Sequence, residues 1–106
     1  MRTIKIRVYG RVQGVFFRAN VKKFCDGAGL KGYVKNEEDG SVEIVAYGDD
    51  KTLGELKEWI KKSPGMSRVD KVEVEEGKGK FRGFEIKRGN FLADKKRAVS
   101  NFFRKI

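Results

Sequence analysis

Gly10-Arg11-Val12-Gln13-Gly14-Val15-Phe16-Phe17-Arg18 joins an alternating stretch to a helical one. Upstream, Ile4, Ile6 and Val8 alternate with Thr3, Lys5, Arg7 and Tyr9, the pattern of a half-buried strand. Downstream, Phe17, Val21, Phe24 and Ala28 recur at helical spacing with Cys25 alongside, and Gly27 and Gly29 mark the end of that helix. A glycine-punctuated strand–turn–helix junction directs backbone N–H groups and the positive end of a helix dipole at one point. Gly10 and Gly14 permit a tight turn and the close approach of a ligand. Arg18 falls in the first helical turn, where a guanidinium can grip a phosphate through two parallel hydrogen bonds. On these residues alone two readings stand: a phosphate cradle, and a basic strand–helix turn with no ligand.

The rest of the chain supplies the partners of this unit. Lys31–Asn36 reads as a strand, Glu37-Glu38-Asp39-Gly40 as a hairpin turn, and Ser41–Tyr47 as the returning strand, with Val42, Ile44 and Ala46 on one face. Asp49 or Asp50 caps a second helix whose apolar stripe is Leu53, Leu56, Trp59 and Ile60, and Ser63-Pro64-Gly65 stops it. Arg68–Glu75 and Phe81–Lys87 are two further strands, joined by a turn at 77–80. Gly77-Lys78-Gly79 lies between strands and opens no helix, so it is not a dinucleotide fingerprint. The order βαββαβ with one extra strand fits an α+β, ferredoxin-like split βαβ sandwich: an antiparallel sheet with two helices on one face.

Composition bounds the function. A chain of 106 residues is expected to form one domain. Hydrophobic residues make up 39% and charged residues 38%, which suits a soluble globular protein and not a disordered one. No apolar run approaches the ~20 residues of a membrane span, and no apolar signal region opens the chain. Cys25 is alone, so no internal disulfide can form; it is read as a small core residue, and the cytoplasm is the expected location. Abundant Lys and Glu with one Gln and no His lean toward a thermophile. The net charge of +10 is unevenly spread. Residues 1–25 carry Arg2, Lys5, Arg7, Arg11, Arg18, Lys22 and Lys23 and no acid, whereas residues 37–58 are rich in Asp and Glu. A positive field over the suspected cradle can steer anions.

The motifs carry a resemblance. Gly10–Arg18 resembles the acylphosphatase signature G-R-V-Q-G-V-x-F-R, and Gly32-Tyr33-Val34-Lys35-Asn36 resembles that family's second motif, where Trp often stands at the Tyr33 position. Asp39-Gly40-Ser41-Val42-Glu43, Trp59, Ser63-Pro64-Gly65, Arg68-Val69-Asp70 and Gly83-Phe84-Glu85-Ile86 also follow the family over residues 2–88. The resemblance implies metal-free hydrolysis of the carboxyl–phosphate bond of small acylphosphates, with no cofactor. It implies that the backbone of Gln13, Gly14, Val15, Phe16, Phe17 and Arg18 cradles the phosphate, that the Arg18 side chain grips it, and that Asn36 orients the attacking water. On turn preference alone Asn36 reads as a strand-end residue. The chemistry suits a chain without His: an acylphosphate leaves as a carboxylate of low pKa and needs little acid help, so positioning and charge supply most of the catalysis.

Two departures and two other functions complete the picture. Phe16 fills the family's variable position, where its ring can cap the pocket or join Phe17 in the core. The chain also continues past the last strand, so a terminal carboxylate of the kind that lies near the arginine in the family cannot be assumed to orient Arg18. Residues 1–88 are expected to form the acylphosphatase-like domain, and 89–106 a basic helical tail in which Val99, Phe102, Phe103 and Ile106 share one face. That face is expected to dock on protein, in its own chain or in a homodimer, in preference to a membrane. A basic ferredoxin-like sheet is also a known RNA platform, but Lys5, Arg7, Tyr9 and Tyr47 do not form the usual aromatic signature, and no nucleic-acid partner is expected. The third function is a domain that binds phosphoryl groups without turnover. The related domain of carbamoyl-transfer maturation proteins precedes cysteine-rich zinc modules that this sequence does not contain, so a free-standing enzyme is expected.

Overall fold

The computed structural model describes residues 1–88. Seven elements follow in chain order: β1 (Arg2–Arg11), α1 (Phe17–Ala28), β2 (Lys31–Asn36), β3 (Val42–Gly48), α2 (Asp50–Lys61), β4 (Arg68–Glu76) and β5 (Phe84–Ile86). They form one sheet of order β4-β1-β3-β2-β5. Ile4, Ile6 and Val8 of β1, Val34 of β2, and Val42, Ile44 and Ala46 of β3 are buried in one cluster with Phe17, Val21 and Cys25 of α1 and Leu53, Leu56 and Ile60 of α2. Both helices therefore cover the same face, and the fold is the ferredoxin-like α+β plan.

The sheet is mixed, not antiparallel throughout. β1 pairs antiparallel with β3 and β4, and β2 antiparallel with β3, but β5 pairs parallel with β2. Parity explains this. β4 runs opposite to β1, and the chain reverses once more before β5, which joins the far edge beside a strand already running its way. β5 is also shorter than the alternation at Phe81–Lys87 suggests. Phe81 sits outside the strand, where it meets the Tyr33 ring edge-on at 6.0 Å.

Local chemistry sets the boundaries. The Asp49 side chain accepts the Thr52 N–H at 2.7 Å, an N-cap that starts α2. α1 ends at Gly29, in the left-handed region with φ 73°, where Leu30 N–H reaches the Cys25 carbonyl at 2.9 Å. The inward stripe of α1 is centred on Phe17, Val21 and Cys25; Phe24 is rotated to the margin, where it stacks on Trp59 at 4.7 Å. Burial pushes the Cys25 thiol up to about 12, which makes it an inert core residue. The helix expected around Val99–Ile106 lies outside the described residues.

β1 carries a bulge opposite β4, between Tyr9 and Gly10, just before the loop. A Cβ on Gly10, whose φ is 130°, would lie 2.2 Å from the Arg68 carbonyl oxygen. Gly27, inside α1, has nothing within 4 Å of a built Cβ. Gly10→Ala is therefore expected to destabilise the protein by at least roughly 1–3 kcal/mol of backbone strain. Gly27→Ala should stabilise it by about 0.5–1 kcal/mol. Urea unfolding of the two variants checks the pair; equal midpoints would show that the bulge tolerates a side chain.

Candidate active site

The loop from Val12 to Phe16 leaves the bulged end of β1 and turns directly into α1. Val12 and Val15 point into the core, 0% and 8% exposed, and pin the loop from below. Gly14 takes φ 74° and Phe16 takes φ 60°, so the chain passes twice through the left-handed region within three residues. For Phe16 that conformation costs about 1–3 kcal/mol, which the surrounding packing must offset. Phe16 is the N-cap of α1 and offers no side-chain cap. Asn20 N–H closes the first helical bond on the Phe16 carbonyl at 3.0 Å, which leaves the N–H groups of Phe17, Arg18 and Ala19 without an intrahelical acceptor. No acid occupies the first turn of α1. The positive end of this helix is thus neither capped nor neutralised by its own sequence.

Gln13 fixes the loop laterally. Its Nε2 donates to the carbonyl oxygens of Glu37, at 2.9 Å, and Ser41, at 2.8 Å. Those residues close the β2–β3 hairpin, where Glu37 N–H also donates to the Ser41 carbonyl at 2.8 Å. Asp39 shapes the same turn by accepting from the hydroxyl and the backbone N–H of Ser41. These bonds, the hydroxyl first, hold the Asp39 carboxyl below the usual carboxylate range. Ionised Asp39 therefore favours the folded hairpin above the ordinary carboxylate range, and that contribution is lost as pH falls through its lowered value.

The loop, α1, the end of β2 and β5 enclose a cleft of about 310 Å³ lined by Gly14, Phe16, Arg18, Asn36 and Ile86, with Val12, Phe17 and Ala19 behind them. Arg18 is the only ionisable group among these residues. No carboxylate or carbonyl partner holds its guanidinium among the described residues. Asn36 is 5% exposed, and its Oδ1 is a buried acceptor with no hydrogen-bond partner among the described residues. An orphan acceptor of this kind costs about 1–3 kcal/mol unless water or a ligand satisfies it. The cleft thus brings together an uncapped helix N-terminus with a fork of donors and a buried acceptor that have no partner among the described residues.

Of the residues expected from sequence, Gly14, Phe16, Phe17, Arg18 and Asn36 line the cleft, whereas the Gln13 side chain clamps the hairpin and Val15 is core. Phe16 lies at the mouth, 77% exposed, and does not join Phe17 in the core. Ile86 was not singled out from sequence. Its place follows from the parallel pairing of β5, which sets Ile86 opposite Val34, two residues before Asn36 on β2. A reading with β5 antiparallel could not have placed it.

A ferredoxin-like sheet with a glycine loop and an arginine at the start of its first helix defines a class of small phosphoryl-binding α+β proteins, and comparison with known proteins narrows the class. The Acylphosphatase family model matches residues 4–86. The acylphosphatase of Thiobacillus denitrificans is 39% identical over 85 residues, covering 80% of this chain and 96% of that protein. The crystal structure of the Bacillus subtilis acylphosphatase superposes with a TM-score of 0.77 at 38% identity, covering 82% of this chain and 99% of that one. The T. kodakarensis HypF structure matches with a TM-score of 0.72 at 36% identity, covering 82% of this chain but only 12% of that one. The chain belongs to the acylphosphatase family.

Gln13→Ala removes both bonds between loop and hairpin. It is expected to lower kcat for acylphosphate hydrolysis about tenfold or more through misplacement of Asn36 against the loop, with a stability loss of about 1–2 kcal/mol. Steady-state kinetics beside urea unfolding separates the two effects; a stability loss with unchanged kcat would reduce Gln13 to a structural tie.

Proposed function

We infer that this chain hydrolyses the carboxyl–phosphate bond of small acylphosphates, releasing a carboxylate and inorganic phosphate. The observation that carries the reading is the convergence of Arg18 and the buried Asn36 Oδ1, both without a partner among the described residues, on one cleft beside an uncapped helix N-terminus. The dianionic phosphoryl group binds the N–H groups of the Gln13–Arg18 loop and the Arg18 fork. Asn36 Oδ1 accepts a hydrogen bond from a water and aims its lone pair at phosphorus. The new P–O bond forms as the bond to the acyl oxygen breaks, the carboxylate leaves with that electron pair, and the surplus water proton passes to solvent. Arg18 and the loop amides stabilise the charge that builds on the phosphoryl oxygens. No group in the cleft is required to titrate near neutrality, in accord with a leaving group that needs no general acid.

The reading is metal-free. The sequence contains no His. Among the described residues no group of three or more His, Cys, Asp and Glu side chains is placed to hold an ion. The nearby acids have other partners: Glu37 pairs with Lys35 at 3.6 Å, and Asp39 accepts from Ser41. We assign the chemistry to residues 1–88 and give 89–106 a role in stability or in a homodimer contact. The cytoplasm is the proposed location, since the lone buried thiol of Cys25 suits a reducing compartment. No helix among the described residues is long and apolar enough to cross a membrane.

The open face of the sheet favours this function over nucleic-acid binding. Three of its cations are engaged by one acid: Glu43 lies within 3.4–3.9 Å of Arg7, Lys35 and Lys5 and accepts the Tyr33 hydroxyl at 3.0 Å. Tyr9 donates to Glu73 at 2.8 Å.

Phosphate release from a small aromatic acylphosphate in EDTA tests the assignment. Wild type is expected to turn over fully. Arg18→Ala and Arg18→Lys should fall roughly a hundred- to thousand-fold, because Lys cannot reproduce the fork. Near wild-type rates in both variants, or activity abolished by EDTA and restored by a divalent ion, would refute the mechanism. For Asn36→Ala, kcat is expected to drop sharply while inorganic phosphate inhibits with nearly the same constant, the signature of a group that acts in the transition state. Weakened phosphate inhibition at intact kcat would make Asn36 a binding residue instead.

A further inference from the structure

Two of the exposed large apolar side chains among the described residues, Phe16 and Ile86, sit on the same small cleft, 77% and 42% exposed. They come from distant parts of the sequence, one from the anion loop and one from the parallel edge strand. Neither serves the core, and Phe16 caps no helix with its side chain. A bulky aromatic residue in the left-handed region, with φ 60° and ψ 19°, is an uncommon conformation, and here it leaves the ring exposed at the mouth of the cleft. Behind the two side chains lie Val12, Phe17 and Ala19, so the cleft is apolar apart from Arg18 and Asn36. Those two polar groups are committed to the phosphoryl group and the water. A charged or hydroxylated acyl group would find no further polar partner there and would lose hydration on entering. An apolar one gains contact on two sides.

We propose that Phe16 and Ile86 form an acyl subsite that selects acylphosphates with a bulky apolar acyl group, aryl or branched alkyl, over those with a short or polar one. The subsite rests on the acylphosphate reading of the cleft. Its volume of about 310 Å³ is at the small end of ligand pockets and suits one ring or a branched chain of a few carbons beside a phosphoryl group. The two side chains are specificity-determining: they touch the part of the substrate that does not react, and discrimination appears in relative kcat/KM.

Two substrates and two unreactive analogues test it. For wild type, kcat/KM for benzoyl phosphate is expected to exceed that for acetyl phosphate by about tenfold or more beyond their difference in intrinsic reactivity. Phe16→Asn removes the ring with a residue that tolerates the left-handed region, and Ile86→Ser opens the other wall. In each variant the benzoyl-to-acetyl ratio is expected to fall about tenfold. Unchanged ratios in both would overturn the proposal. Phenylphosphonate and methylphosphonate titrations read the same subsite without turnover: tighter phenylphosphonate binding that is lost in both variants supports it, and equal affinities in wild type overturn it. Absence of turnover on either acylphosphate alongside tighter phenylphosphonate binding would refute the hydrolase and leave the subsite standing.

Discussion

The amide of Gln13 donates two hydrogen bonds across a gap that no covalent link spans, one to the carbonyl of Glu37 and one to that of Ser41. That tie joins the loop that carries Arg18 to the hairpin that follows Asn36. The loop that ends in Arg18 belongs to the first strand–helix unit, and Asn36 belongs to the end of β2, where the hairpin to β3 begins. The strand ladders set the distance between these units as far as Asn36, since Val8 of β1 and Asn36 of β2 both pair with Val42 of β3. The Gln13 bonds extend that definition from the ladder into the loop beyond β1. They add a second donor to turn carbonyls that already accept backbone N–H groups, Glu37 from Gly40 and Ser41 from Glu37.

Around this tie the protein concentrates its unsatisfied groups in one place. The guanidinium of Arg18 lacks a partner among the described residues, the Oδ1 of Asn36 is buried without one, and the N-terminus of α1 is uncapped. In the proposed reaction each would meet the phosphoryl group or the attacking water. The opposite face of the sheet is arranged in the contrary way. Glu43, almost wholly buried, gathers Lys5, Arg7 and Lys35 around it, and Tyr33 donates to the same carboxylate. Burial and that bond push the Tyr33 phenol up to about 12, so it remains a donor across the working pH range. Much of the positive charge near β1 is thus balanced on one face, while Arg18, in the cleft on the other side, has no acidic partner among the described residues. Preorganisation of this kind leaves little reorganisation for the moment of reaction.

Much of this was legible in the sequence because local chemistry and global fold agree at those points. The alternation of Ile4, Ile6 and Val8, the helical spacing of Leu53, Leu56 and Ile60, and the Asp49 cap each specify an element without reference to distant residues. Arg18 stood out because its position in the first helical turn has a direct electrostatic meaning. Asn36 did not stand out on its own, since a strand-end Asn before a turn looks the same whether or not its Oδ1 is orphaned; only its register with the first motif gave it a role. The parallel direction of β5 was hidden for another reason. Three strand residues carry no signal of which neighbour they join, and the choice is made by chain reversals elsewhere. Ile86, and with it one wall of the cleft, was lost to the same cause. The fate of Phe16 depended on a backbone angle, φ 60°, that composition does not encode for a non-glycine residue.

Arg18, the loop amides and Asn36 are proposed to act on one phosphoryl group in one cleft. An NMR titration of the full chain with inorganic phosphate reads it most directly. Saturable shifts are expected at the backbone amides of Gly14–Arg18, at the Arg18 Nε–H and at the Asn36 side-chain amide, all following a single binding curve. Shifts confined to the Lys5, Arg7 and Lys35 face, or an Asn36 signal that stays fixed while the loop titrates, would contradict it.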